Sequence, residues 1–213
     1  MMRNSETAHV AICVGLWSLL ALPPVATAME SRLFTHVLLQ FPALFLCGYL
    51  LGIGFRGRAA RISGGWNRGG FTGIAIVLPT AAIWMLPRSI DTALESAWVE
   101  AAKFVTIPLL VGLPLALSAP RLGALTAGFL KAHFVSMALF LGWIFSAAPV
   151  RLCNSYLIDD QTLVGATWLV IAGVAICGWA IPLFFDRRLE ADEMANELAA
   201  TRGNRNALLR NNA

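Results

Sequence analysis

The sequence predicts an all-α protein, a polytopic bundle of six transmembrane helices, and three observations lead to this fold class. The chain of 213 residues is 58% hydrophobic and 13% charged, which leaves too few polar side chains to cover a soluble domain. It contains six apolar runs of about the length that crosses a bilayer. Its basic residues gather on one side of the path that these runs define.

Each apolar run is predicted to be a helix, because unpaired backbone groups are costly in lipid. The third and fourth runs are short and contain prolines, so we expect them to kink or to borrow length from their flanks. The predicted spans are Val10–Ala28, Leu33–Phe55, Phe71–Leu86, Phe104–Ser118, Ala124–Ala148 and Leu163–Phe185.

The basic residues predict the orientation of the bundle. Four arginines and no acid lie in the loop 56–70, and five more arginines follow Asp186. With Arg3, Arg121 and Lys131, these make 12 of the 16 basic residues on one side. Because positive loops stay in the cytoplasm, we expect a bacterial inner-membrane protein with both termini cytoplasmic. The net charge of +4 fits contact with anionic lipid headgroups, and nothing in the sequence points to nucleic acid.

The two ends of the chain allow further interpretations. Residues 1–28 resemble a signal peptide, with an apolar core before Ala26-Thr27-Ala28, and cleavage there would leave five spans. We expect instead that this segment is retained as the first helix. The predicted organisation is a bundle over residues 1–186 and a polar, partly helical cytoplasmic tail over 187–213.

Motifs of soluble enzymes are absent from the sequence. It contains no phosphate-binding loop and no GxSxG, HExxH or CxxC motif, and its four cysteines do not form a disulfide framework. No nucleophile with a neighbouring base is recognisable. A non-enzymatic function is therefore expected.

A candidate metal site lies on the predicted outer side, near the polar stretch "RLCNSYLIDDQ" between the last two spans. Histidine, methionine and cysteine are ligands that copper(I) prefers, so a copper site is conceivable there. Ordinary roles compete, since aspartates before a helix cap it and a histidine in a bundle often bonds a neighbouring helix. The candidate ligands are His36, Met29, Cys153, Asp159 and Asp160.

Other polar and aromatic residues of the same side are candidates for an outer-face site or for contacts with a partner. A Trp beside a Met also suits the membrane interface, and an arginine at a helix end can snorkel. Thr92 and Glu95 have the spacing of a capping box, and Glu100 and Lys103 have that of an intrahelical pair. The candidates are Trp84, Met85, Arg88, Asp91, Arg151, Asn154 and Tyr156.

Polar residues inside the spans suggest an alternative function. Together with His36, the residues Gln40, Lys103 and His133 could line a path for a small solute or an ion. The inverted repeats typical of carriers are not found in the sequence. A site at the outer rim favours an accessory factor, whereas polar residues at the midplane favour a carrier.

Two segments resemble a known family. "MESRLFTHVLLQFPALFLCGYLLG" and "IWMLPRSIDTALES" are similar to the CtaG-like assembly factors of bacterial heme–copper cytochrome oxidases. The first matches a helix that carries two histidines four residues apart, and the second matches a Trp-x-x-Pro turn before a helix. Arg32 stands where the family has the first histidine, and "AWVEAAKF" lacks further family histidines. The resemblance implies an assembly or accessory factor for a respiratory or other metalloenzyme complex, with copper as a cofactor or cargo.

Overall fold

In a computed structural model, the protein is all-α, as the sequence predicts. The structure describes residues 2–62, 67 and 69–184, and this part of the chain contains helices but no strand. The predicted tail over 187–213 lies outside the described residues. The chain forms two compact units, Met1–Val170 and Ile171–Ala213. The described part of the second is the end of the last helix.

Eight helices, named here in chain order, and a short 3-10 helix at Ala119–Arg121 make up most of the described residues. Two of them are long helices that contain a π-helical segment. The third, α3, runs from Leu33–Thr35 through the π segment His36–Gln40 to Phe41–Ile62. The sixth, α6, runs from Ala97–Thr106 through the π segment Ile107–Gly112 to Leu113–Ser118. The others are α1 (Met2–Leu20), α2 (Pro23–Glu30), α4 (Phe71–Trp84), α5 (Pro87–Glu95), α7 (Ala124–Ala147) and α8 (Ile158–Phe184).

Four helical segments are long and apolar enough to cross a membrane: Leu33–Gly57, Ala97–Arg121, Ala124–Ala147 and Ile158–Ile181. The count reaches six if α1 with α2, bent by 72°, and α4 with α5, bent by 71°, each count as one span. Both bends fall where proline begins the second helix. Proline fixes φ and favours the first turn of a helix, which explains why these two runs are broken.

Several predicted boundaries were wrong. The fourth run begins at Ala97 rather than Phe104 and so gains length from its flank. The helices Pro87–Glu95 and Ala97–Thr106 are separated by Ser96, which is extended. Thr92 therefore lies inside α5, where its hydroxyl donates to the Arg88 carbonyl, and the capping box with Glu95 does not form. The last helix begins at Ile158.

Close backbone contact between α3 and α6 organises the bundle. A Cβ added at Gly48 would lie 1.9 Å from the Pro108 carbonyl oxygen, and one added at Gly112 would lie 2.3 Å from the Phe45 carbonyl oxygen. Small residues permit such approach in membrane helix pairs. The π segments of both helices lie beside this contact. Side chains of α3 and α6 that lie one or two turns from this backbone contact are therefore close enough to contact each other directly.

Candidate functional site

A buried polar network joins α2, α3 and α6 at one end of the bundle. Its members are Glu30 at the end of α2, His36 and Gln40 in the π segment of α3, Lys103 of α6 and Tyr156 after α7. We call these five residues the Lys103 network. The wider π turn presents His36 and Gln40 to the same neighbouring helix, and π segments often occur at functional sites.

Lys103 is the centre of the network. Its ammonium group donates to Glu30 Oε1 at 2.5 Å, to Gln40 Oε1 at 3.1 Å and to His36 Nε2 at 3.2 Å. An ammonium has three donors, so all three are used. The Gln40 amide also donates to Glu30 Oε1 at 3.1 Å, which gives this carboxylate oxygen two donors.

The hydrogen bonds assign one tautomer to His36. Tyr156 donates its only hydroxyl hydrogen to the Glu30 carbonyl at 3.0 Å, so it must accept from His36 Nδ1, 2.7 Å away. His36 Nε2 then accepts from Lys103. The imidazole is therefore neutral and carries its proton on Nδ1. The three hydrogen bonds that lead from Lys103 through His36 and Tyr156 to the Glu30 carbonyl therefore each have one donor and one acceptor.

The network is sealed from the surroundings except at Glu30. Lys103, His36 and Gln40 are 0% exposed, whereas the Glu30 side chain is 12% exposed. Lys103 is the seventh residue of the span that begins at Ala97, which places its Cα about 10 Å inside that span. The charge pair thus lies in the end third of the bundle, which we call the Glu30 end.

A hydrogen-bonded cap covers the Glu30 end. It consists of α5 and the residues 149–157, which we call the cap loop. The Asp91 carboxylate of α5 accepts from the backbone N–H groups of Asn154 at 2.7 Å and Ser155 at 3.3 Å. From α8, Gln161 accepts from the Leu152 N–H at 2.8 Å and donates to the Phe145 carbonyl at 3.3 Å. Buried side chains therefore fix the loop from inside.

Two ionisable side chains of the cap loop are buried and neutral. Burial, with a smaller contribution from the charge of Asp91, raises the pKa of the Cys153 thiol to about 12. Burial, followed by the charge of Glu30, raises the pKa of the Tyr156 hydroxyl well above its usual range. Cys153 is 1% exposed and donates weakly to the Pro87 carbonyl. A reactive or metal-binding thiolate is disfavoured in such surroundings.

The predicted copper ligands do not form an assembled donor set. No group of three or more His, Cys, Asp or Glu side chains able to hold a metal occurs among the described residues. Both His36 nitrogens are engaged, and the Lys103 ammonium at Nε2 would repel a cation. Met29 is half-buried, and Asp159 and Asp160 lie in the first turn of α8, where they meet the helix dipole favourably. The side chains present do not fit copper in this arrangement.

Three predicted outer-face contacts are inside the molecule. Trp84, Asp91 and Tyr156 are 6%, 6% and 5% exposed, respectively. Each forms a hydrogen bond to a neighbouring element. The bond of Trp84 runs from its Nε1 to Thr106 Oγ1 and is 2.8 Å long. Those left on the surface are Arg88, Arg151 and Asn154, which are exposed, and Met85, which is half-buried.

Glu30 is not predicted by the sequence as the partner of Lys103. Glu100, three residues away in α6, was the expected partner, but the short ion pair is with Glu30. The spacing of Glu30 and Gln40, ten residues apart across a turn, gives no periodic signal. His133 also lies apart, stacked on Phe129 within α7.

Comparisons with protein-family models, curated proteins and solved structures find no match. The similarity to the CtaG-like factors therefore stays a prediction from the residues quoted above.

Proposed function

We propose that this protein is a non-enzymatic membrane accessory factor that docks a partner membrane protein through its cap. The observation that carries the proposal is the contrast between the two faces of the cap. Its inner face is fixed by Asp91 and Gln161. Its outer side and the adjoining start of α6 expose large apolar side chains: Trp98 is 87%, Val150 64% and Leu157 63% exposed.

A prearranged apolar surface of this kind suits protein recognition. Fixing the cap loop in advance lowers the entropy cost of binding, and tryptophan is enriched among residues that dominate binding energy. The Lys103 network supports the same role, because it ties α2, α3 and α6 to the cap loop through Tyr156. The position of this network near one end of the spans, rather than at their midplane, favours an accessory factor over a carrier.

The partner class that we propose is a respiratory or other metalloenzyme complex in a bacterial inner membrane, with the Glu30 end facing outward. The support is the similarity of two segments to the CtaG-like factors and the sequence pattern that predicts 12 of the 16 basic residues on the other side. Copper handling is not part of this proposal, because both ring nitrogens of His36 are engaged, by Tyr156 and by Lys103.

Deletion and complementation in the native host test the proposed function. We expect deletion to lower the amount of one assembled metalloenzyme complex, measured by metal and heme absorbance of purified membranes. Wild type should restore the complex and Trp98→Asp should not, whereas Leu125→Asp, at a residue that is 90% exposed at the other end of the bundle, should restore it. Unchanged metalloenzyme content after deletion would contradict the proposal.

A carrier remains the second candidate, because the network joins three of the residues predicted to line a path: His36, Gln40 and Lys103. His133, the fourth, is in the wall of an apolar cavity. Proteoliposomes with a pH-sensitive dye inside test this candidate. A proton flux that Lys103→Met abolishes would favour the carrier over the accessory factor.

A further inference from the structure

Two arginines, which we call the arginine pair, lie at the end of the bundle opposite the Glu30 end. Arg56 is the last residue but one of the candidate span Leu33–Gly57, and Arg121 is the last residue of the candidate span Ala97–Arg121. Charged side chains at the ends of spans lie at the level of the lipid headgroups. Both arginines are half-buried, so the protein encloses one side of each and leaves the other side open.

Backbone carbonyls hold both guanidinium groups in place. Arg56 donates from Nε at 3.2 Å and from Nη2 at 2.9 Å to the Ala116 carbonyl. Arg121 donates from Nη1 to the Asn67 carbonyl at 2.8 Å, and the Asn67 amide donates to Ser118 Oγ at 3.0 Å. Arg56 and Asn67 thus attach to residues of α6 that are only two positions apart. Both guanidinium groups therefore lie beside the end of α6.

The arginine pair has hydrogen-bond donors and positive charge left for a further partner. A guanidinium has five N–H donors, and the bonds above use two of Arg56 and one of Arg121. Among the described residues, no carboxylate pairs with either side chain. The sequence explains this, because the stretches 31–90 and 101–158, which include all of α3, α4 and α7, contain no Asp or Glu. A half-buried cation with unused donors favours an anion as its partner.

The surroundings of the arginine pair favour a lipid headgroup over a soluble anion. Phe71, the first residue of α4, is 64% exposed. It follows Gly70, where an added Cβ would lie 2.9 Å from the Ser118 carbonyl oxygen. An exposed aromatic ring thus lies next to the site, and such rings suit the interface of a bilayer. Basic pockets between membrane helices bind phosphate-bearing headgroups, and the planar fork of arginine matches two phosphate oxygens.

We propose that Arg56 and Arg121 bind the phosphate group of an anionic phospholipid of the phosphatidylglycerol type. The unused guanidinium donors bind the phosphate oxygens, and Phe71 contacts the glycerol and the upper part of an acyl chain. Because backbone carbonyls already orient both guanidinium groups, little side-chain entropy is lost on binding. This inference does not depend on the proposed docking function or on the leaflet that the site faces.

Native mass spectrometry of the full chain in detergent micelles tests the site. Phosphatidylglycerol and phosphatidylcholine with the same acyl chains are matched probes, because both carry a phosphate and only choline cancels its charge. We expect the first phosphatidylglycerol to bind at least about tenfold more tightly, since each arginine near an anionic headgroup contributes about fivefold in affinity. Millimolar glycerol phosphate, which lacks acyl chains, should not displace it. Equal affinities for the two lipids would overturn the proposal, and displacement by glycerol phosphate would overturn the assignment to a lipid.

Variants assign the lipid preference to the arginine pair. Arg56→Gln and Arg121→Gln should each weaken phosphatidylglycerol binding about fivefold and leave phosphatidylcholine binding unchanged. Arg121→Lys keeps the charge and should keep most of the preference. As a control, Arg88→Gln removes an exposed cation at the Glu30 end and should change the preference less than about twofold. Undiminished phosphatidylglycerol binding in folded Arg121→Gln, or an equal loss in Arg88→Gln, would refute the site even if Arg56→Gln does not fold.

Discussion

Replacing Lys103 by methionine removes the positive charge from the Lys103 network and keeps an unbranched side chain. Three hydrogen bonds are lost, to Glu30, Gln40 and His36. The Glu30 carboxylate is then left without its counter-charge in a site where its side chain is 12% exposed. The variant therefore measures what the buried charge pair contributes to the stability of the bundle.

Two magnitudes can be distinguished. Hydrogen bonds between membrane helices average about 0.6 kcal/mol each, so the three bonds alone would give a loss of about 2 kcal/mol. Breaking a buried ion pair by removing one partner costs about 3–5 kcal/mol. Because Glu30 keeps some contact with the surroundings, we expect about 3 kcal/mol for Lys103→Met. Glu30→Gln leaves the fully buried Lys103 charge unpaired, and we expect about 4–5 kcal/mol for it.

A double-mutant cycle in mixed micelles tests these values, with unfolding by sodium dodecyl sulfate followed by circular dichroism. In Glu30→Gln/Lys103→Met neither charge is left unpaired, so its loss should be smaller than the sum of the single losses by about 2–4 kcal/mol. Arg88→Met removes an exposed cation near the same end and should change stability by less than about 0.5 kcal/mol. The charge-pair reasoning would be refuted if the stability loss of the double variant equalled the sum of the two single losses. A loss below about 1 kcal/mol for Lys103→Met would also refute it.

Three further predictions concern the cap and the helix packing. Asp91→Ala removes the acceptor of two backbone N–H groups, so limited proteolysis should cut the cap loop faster, with a stability loss of about 1–3 kcal/mol. Gly48→Ala places a methyl against the Pro108 backbone and should lower the unfolding free energy by about 2 kcal/mol, whereas Gly128→Ala, with open space around it, should not. The pKa of Cys153, raised to about 12, keeps the thiol protonated, so alkylation of a variant with only this cysteine should be slow at pH 8 and still accelerate at pH 10. A rate that levels off near pH 9 would contradict this last prediction.

The all-α class follows from the sequence because apolar runs of membrane length have one stable solution, the helix. For most ends of the long runs, the predicted boundary is within a few residues of the observed one, as in the helix Ala124–Ala147. The bends at Pro23 and Pro87 were harder to predict, since a proline can either kink one span or begin a separate helix.

The candidate site was predicted only in part. A hydrogen bond to a neighbouring helix was one of the roles expected for His36, and its contact with Lys103 of α6 is such a bond. The partnership with Glu30 depends on how α2 folds back beside α3, which periodicity does not encode. The copper ligands were predicted from the types of residue on the outer side. Whether His36 has a free nitrogen is decided by Tyr156, which is 120 residues away in the sequence.

Photo-crosslinking from the cap and from the adjoining start of α6, in living cells of the native host, is the most direct test of the docking proposal. A benzoylphenylalanine at Trp98 or Leu157 should give one discrete protein adduct, identified by mass spectrometry as a subunit of a membrane metalloenzyme. The same residue at Leu125 should give none. Adducts with lipid alone at both Trp98 and Leu157, or the same protein adduct from Leu125, would contradict the assignment of the cap and the adjoining start of α6 as the docking surface.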